Sequence, residues 1–109
     1  YQHRFIERVK LILQNTTPAF ERYTPDTDTL FIEHCSKSTR EVMQDLLSTR
    51  KELAAGIISF QEVDFSKTAI HATFGKMNLV QWLNFFLLHE AHHLFTILKL
   101  AGQIRKESA

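Results

Sequence analysis

Apolar positions recur with a helical period over three stretches of the chain. Between Tyr1 and Gln14, Phe5, Ile6, Val9, Ile12 and Leu13 return every three or four residues, with Arg4, Glu7, Arg8 and Lys10 between them. That spacing lines one side of an amphipathic helix. Asn15-Thr16-Thr17-Pro18 should end it, because proline disfavours helix at the preceding residue and Asn and Thr side chains compete for backbone hydrogen bonds. Residues 19–37 lose the period. Pro25 and its polar neighbours precede a short apolar knot, Leu30-Phe31-Ile32, and the stretch reads as a long connection folded over the body, with Phe20 and Tyr23 as anchors. A second helix is expected at Ser38, where Ser38-Thr39-Arg40-Glu41 has the form of a capping box. Val42, Met43, Leu46, Leu47, Leu53 and Ala54 mark its apolar side, and Gly56 is expected to end it in a left-handed cap. Ile57 to Phe65 alternates only in part. A lone strand there would have nothing to pair with, so an extended connection with a turn at Asp64 to Lys67 is expected.

The last stretch differs in kind. Asn78 with Gln81 can cap a helix, and from Leu79 to Leu100 that helix is apolar nearly all round. At 100° per residue, Trp82, Phe86, His89, His93 and Leu100 fall within about 60° of one another. Such a helix should be buried on several sides. Two shorter amphipathic helices cannot cover it, which implies a further helix, a second subunit forming a homodimer, or both.

Bulk properties narrow the class. At 109 residues the chain is at most one small domain, residues 1–109. It begins at Tyr1 in what reads as mid-helix, so a segment upstream is expected. A net charge of +1 makes no electrostatic case for nucleic acid or an acidic membrane surface. The longest nearly apolar run, Leu83 to Leu88, falls well short of the roughly 20 residues needed to span a bilayer. The one cysteine, Cys35, suits a reducing cytoplasm and is expected to be an inert thiol.

Three of the six histidines lie at positions 89, 92 and 93. His89 and His93, one turn apart, present two imidazoles on one face, a standard way for a helix to offer two ligands to a metal. Literally, His89-Glu90-Ala91-His92-His93 is also the H-E-x-x-H of zinc proteases, in which the glutamate polarises a water. That chemistry needs a third ligand and a sheet edge for the peptide; no histidine follows His93, and the one later carboxylate, Glu107, belongs to the same helix. A third reading makes the histidines ordinary polar residues of a bundle core, in a non-catalytic interaction module. His3 reads as a surface histidine and His34 as a non-ligand.

A wider pattern accompanies the pair. Phe74-Gly75-Lys76-Met77-Asn78-Leu79, then Trp82, then His89-x-x-His92-His93-x-x-x-Ile97 resembles the closing helix of the DinB/YfiT-like family of four-helix bundles. Lys10 to Leu13 with Thr17-Pro18 looks like the end of that family's second helix, and Ser38 to Leu53 like its third. The resemblance implies an all-α, up-down-up-down bundle that here lacks its N-terminal part. It implies a divalent metal (Zn, Ni, Fe or Mn) held by three histidines, two of them at the positions of His89 and His93. The family's first metal histidine would lie about one helical turn before Tyr1. The implied activity is thiol transfer or hydrolysis on a small molecule, with a low-molecular-weight thiol as co-reactant. Trp82, Phe86, His92 and Glu90 would surround the site, His92 and Glu90 pointing away from the ligand stripe.

Overall fold

The structure is a computed structural model and describes residues 1–108. Four α-helices account for most of the chain: α1 (Gln2–Leu13), α2 (Thr29–Cys35), α3 (Thr39–Ile58) and α4 (Leu79–Ser108). Short 3-10 turns occupy Pro25–Thr27 and Glu62–Ser66, and one antiparallel hairpin pairs β1 (Thr68–His71) with β2 (Gly75–Asn78). The all-α class that the resemblance implies holds, with one small hairpin added. By its contacts the chain forms two compact units, Tyr1–Leu79 and α4 from Val80 onward.

In the first unit the apolar side of α1 is the core. Phe5 and Ile12 are fully buried and Ile6 and Val9 nearly so, as are Leu53 of α3 and Ala69 of β1. α1 packs on α3. A polar seam joins them: the Gln2 amide donates from Nε2 to the Leu46 carbonyl at 3.1 Å while its Oε1 accepts from Arg50 Nε at 2.9 Å. His3 belongs to this seam, with Nε2 3.3 Å from Thr49 Oγ1, so it is half-buried rather than the surface histidine expected. The reason is tertiary: α3 crosses the side of α1 that carries Gln2 and His3. The His34 ring stacks on His3 at 6.1 Å, and its Nε2 lies 3.3 Å from Asp45 Oδ2.

Local signals are obeyed where their partners are close in sequence. The capping box forms, Ser38 Oγ accepting from Glu41 N at 3.2 Å and Glu41 Oε2 accepting from Ser38 N at 3.3 Å. Such a cap contributes about 1 kcal/mol. The left-handed stop at Gly56 does not occur. α3 runs on to Ile58 and closes at Ser59 in right-handed geometry, because the Ser59 hydroxyl donates to the Gly56 carbonyl at 2.6 Å and needs no special backbone.

Residues 19–37 are more ordered than the long connection expected. Asp28 caps α2, its Oδ1 accepting from Leu30 N at 3.0 Å, and its Oδ2 accepts from the Tyr23 hydroxyl at 2.8 Å. Burial and that hydrogen bond push the Tyr23 phenol up to about 12. Burial pushes the Asp28 carboxyl up, but the bonds from Tyr23 and Leu30 outweigh it and hold the group below its ordinary value. Both expected anchors hold. Tyr23 meets the Tyr1 ring edge-on at 5.0 Å, and the backbone of Phe20 donates to the Ile70 carbonyl at 3.0 Å. The Ile70 amide donates in turn to the Pro18 carbonyl at 2.8 Å, so residues 18–20 form a parallel bridge on β1.

The connection expected after α3 starts later than expected, and its turn at Asp64 to Lys67 forms, Lys67 N donating to the Asp64 carbonyl at 3.2 Å. Ile57 and Ile58 belong to α3, a 3-10 turn occupies 62–66, and the strands come later, at 68–78. β1 has its partner only because the chain reverses at once, with His71 opposite Gly75 and Thr68 opposite Asn78. Gly75 closes the reversal at φ +74°, where a side chain would be strained. His71 holds the turn: its Nδ1 accepts from the backbone amides of Thr73 (2.9 Å) and Phe74 (3.2 Å), and its ring stacks on Phe74 at 4.8 Å. Those bonds require the tautomer with the proton on Nε2.

Burial, with the nearby Arg8 charge, lowers the His71 pKa from its ordinary 6.5. The unfolded chain therefore binds more protons in that range, so His71's contribution is complete above 6.5 and falls as pH drops toward the depressed folded value. Urea midpoints are expected to decrease from neutral pH to about pH 5, and less so in His71→Asn, whose side-chain oxygen can accept in place of Nδ1. An identical decrease in the variant would remove His71 as the source.

α4 follows β2 directly. Trp82 is fully buried and Phe86 nearly so, but every residue from Ala91 to Leu100 is exposed. Leu94 is 65%, Phe95 57% and Leu98 62% accessible. Burial on several sides, expected from the sequence, is thus not reached in this chain. A helix satisfies its own backbone hydrogen bonds, so an all-apolar sequence can form one whether or not anything covers it.

Candidate metal centre

The two imidazoles lie on α4. A helical repeat of 3.6 residues brings side chains four apart together. Along one side it places Phe85, His89 and His93 in succession: Phe85 meets His89 at 6.1 Å between ring centroids, and the His89 and His93 rings meet edge to face at 4.5 Å. Their Nε2 atoms lie 3.1 Å apart. Behind them Trp82 meets Phe85 edge-on at 6.1 Å.

Two nitrogens at that separation can share one proton or hold one cation. Zinc–imidazole distances of about 2.0–2.1 Å in a tetrahedral site place two nitrogens about 3.3 Å apart, so the pair needs to open only slightly to grip an ion. Protonating both rings at this distance would set two positive charges against each other. Burial, and then the neighbouring His93 charge, hold the His89 pKa below its ordinary value, which favours the neutral imidazole that ligates metals.

The other expected neighbours divide. His92 is exposed, its ring 5.7 Å from His93, and its carbonyl accepts from the Thr96 hydroxyl at 3.1 Å. Its side chain is turned off the Phe85–His89–His93 row, as the helical angle implied. Glu90 is half-buried on the next face. Trp82 and Phe86 are buried, two turns and one turn before His89 respectively. Phe85 is the ring that meets the His89 imidazole, and the four-residue spacing from Phe85 to His89 is the signal for it. No group of three or more His, Cys, Asp or Glu side chains is arranged to hold a metal among the described residues. His89 and His93 are the pair of imidazoles that the helix brings within reach of one ion.

The model of the DinB superfamily matches residues 1–97. The chain belongs to the DinB superfamily. Among curated proteins, the uncharacterized protein YuaE of Bacillus subtilis (strain 168) is 29% identical over 69 residues, which cover 63% of this chain and 43% of that protein. The DinB chain described here thus spans less than half the length of that relative. No solved structure matches. No helix among the described residues is long and apolar enough to cross a membrane.

Proposed function

We propose that this DinB-superfamily protein is a divalent-metal-dependent enzyme acting on a small molecule, of the thiol-transferase or hydrolase type, with His89 and His93 as two of its metal ligands. The observation that supports this most is the convergence of the two Nε2 atoms to 3.1 Å on one face of α4. A further donor would complete the ligand set. A divalent ion at this place would supply Lewis acidity, lowering the pKa of a bound water or holding a thiol as thiolate. The protein's own part is to hold His89 half-buried, which favours its neutral form, with Phe85 against its ring and Trp82 against Phe85. The test is metal analysis of the whole protein purified without chelator. About one divalent ion per chain is expected; protein that carries none and takes up none from added zinc, nickel, iron or manganese would leave a non-catalytic helical module.

We also propose a cytoplasmic homodimer associating through the exposed leucines of α4. Leu87, Leu94 and Leu98 lie on one side of the helix and are 59%, 65% and 62% accessible. Isolated monomers rarely leave so long an apolar row uncovered. Sedimentation of the wild type should give a dimer and Leu94→Glu a monomer; a wild-type monomer at micromolar concentration would refute the assembly.

A further inference from the structure

Arg8 is the one arginine of α1 turned inward. The residue is only 8% accessible, on a helix whose neighbouring buried residues are Phe5, Val9 and Ile12. The guanidinium donates from one terminal nitrogen to the Glu21 backbone carbonyl at 2.8 Å and from the other to the Tyr1 hydroxyl at 3.4 Å. It lies 5.2 Å from the Phe20 ring centroid and 5.8 Å from that of Tyr1. Guanidinium carries five N–H donors, and among the described residues these two bonds use two of them. No carboxylate pairs with it among the described residues: Glu7 is taken by Arg4 at 3.0 Å, and Glu21 offers Arg8 its carbonyl only.

A buried cation without a counter-charge is costly unless an anion completes it. The place for that anion exists. Arg8 lines a cavity of about 330 Å³ between α1 and residues 19–27. Its other walls include Phe20, Tyr23, Leu11 and two further arginines, Arg4 and the exposed Arg22. Three arginines stand against Glu7 and Glu21, leaving one excess positive charge. The volume lies at the lower end of small-molecule sites, about 300–1,000 Å³.

We propose that this cavity binds a small monocarboxylate with an apolar body, its carboxylate against Arg8 and its body against Phe20 and Tyr23. One excess charge matches a monoanion, whereas a phosphate monoester near neutral pH carries closer to two. The planar guanidinium also matches the planar carboxylate. The site uses residues of the first unit only and does not depend on the metal reading.

Benzoate is a suitable probe and benzamide its neutral isostere. Followed by NMR of the arginine Nε–H and tyrosine ring signals, benzoate is expected to shift Arg8 and Tyr23 saturably. It should bind at least about tenfold more tightly than benzamide, the difference a charge-assisted bond makes. Arg8→Met should abolish the preference. Should that variant fail to fold, Arg22→Ala removes an exposed charge and should weaken benzoate severalfold while leaving benzamide unchanged. Equal affinity for the two probes, no saturable shift at Arg8, or undiminished benzoate binding in Arg22→Ala would each overturn the proposal.

Discussion

His89→Ala is expected to weaken divalent-metal binding by more than about a hundredfold, and His93→Ala by as much. Removing a mere supporting partner of a metal ligand typically costs 10- to 100-fold, and these two are proposed as ligands themselves. The geometry makes the loss symmetrical, since each imidazole supplies one of two Nε2 atoms that meet at 3.1 Å. His92→Ala is the control. Its ring is exposed and 5.7 Å from His93, so its removal should leave binding within a few-fold of wild type. Equilibrium dialysis against zinc, followed by elemental analysis, reads all three. Equal retention by the three variants would mean that the pair is a structural contact and that the metal lies elsewhere. Binding should also weaken on acidification, because protons compete for the imidazoles.

Phe5→Ala should lower unfolding free energy by about 3–5 kcal/mol, the usual cost of emptying a large aromatic site that cannot collapse. Phe5 is fully buried on α1 beside Ile12, which is equally inaccessible. Since small domains are stable by only about 5–15 kcal/mol, the variant should be close to unfolding at physiological temperature. Leu11, on the same helix but 42% accessible, marks the contrast. Leu11→Ala should cost less than about 1 kcal/mol. Chemical denaturation followed by far-ultraviolet circular dichroism measures both, and comparable losses would show that α1 is not oriented as described.

Much of the site was legible in the sequence because its geometry is local. The helical repeat places His89 over His93, and the same repeat places Phe85 under His89. Phe86 shares the angular sector of the pair and is buried, while Phe85, four residues before His89, is a direct neighbour of its ring. The Asp28 cap of α2 was equally local, yet the prolines and turn formers around it masked a helix of only seven residues. The hairpin was missed for a different reason. Its strands are four residues each, too short for alternation to show, and they exist by pairing with each other and with the Pro18 to Phe20 backbone.

The sequence by itself determined α1, α3 and α4, the capping box at Ser38 and the one-turn spacing of His89 and His93, since each depends on atoms a few residues apart along the chain. Only tertiary structure decided that His3 is drawn into a seam with Thr49, that Arg8 is buried beside Glu21 without a carboxylate partner, and that Ile70 is bridged by Pro18 and Phe20. Those contacts join residues from 13 to 52 positions apart. Periodicity says which face of a helix is apolar, but what that face meets depends on where the chain returns, and that is set by the packing of the whole.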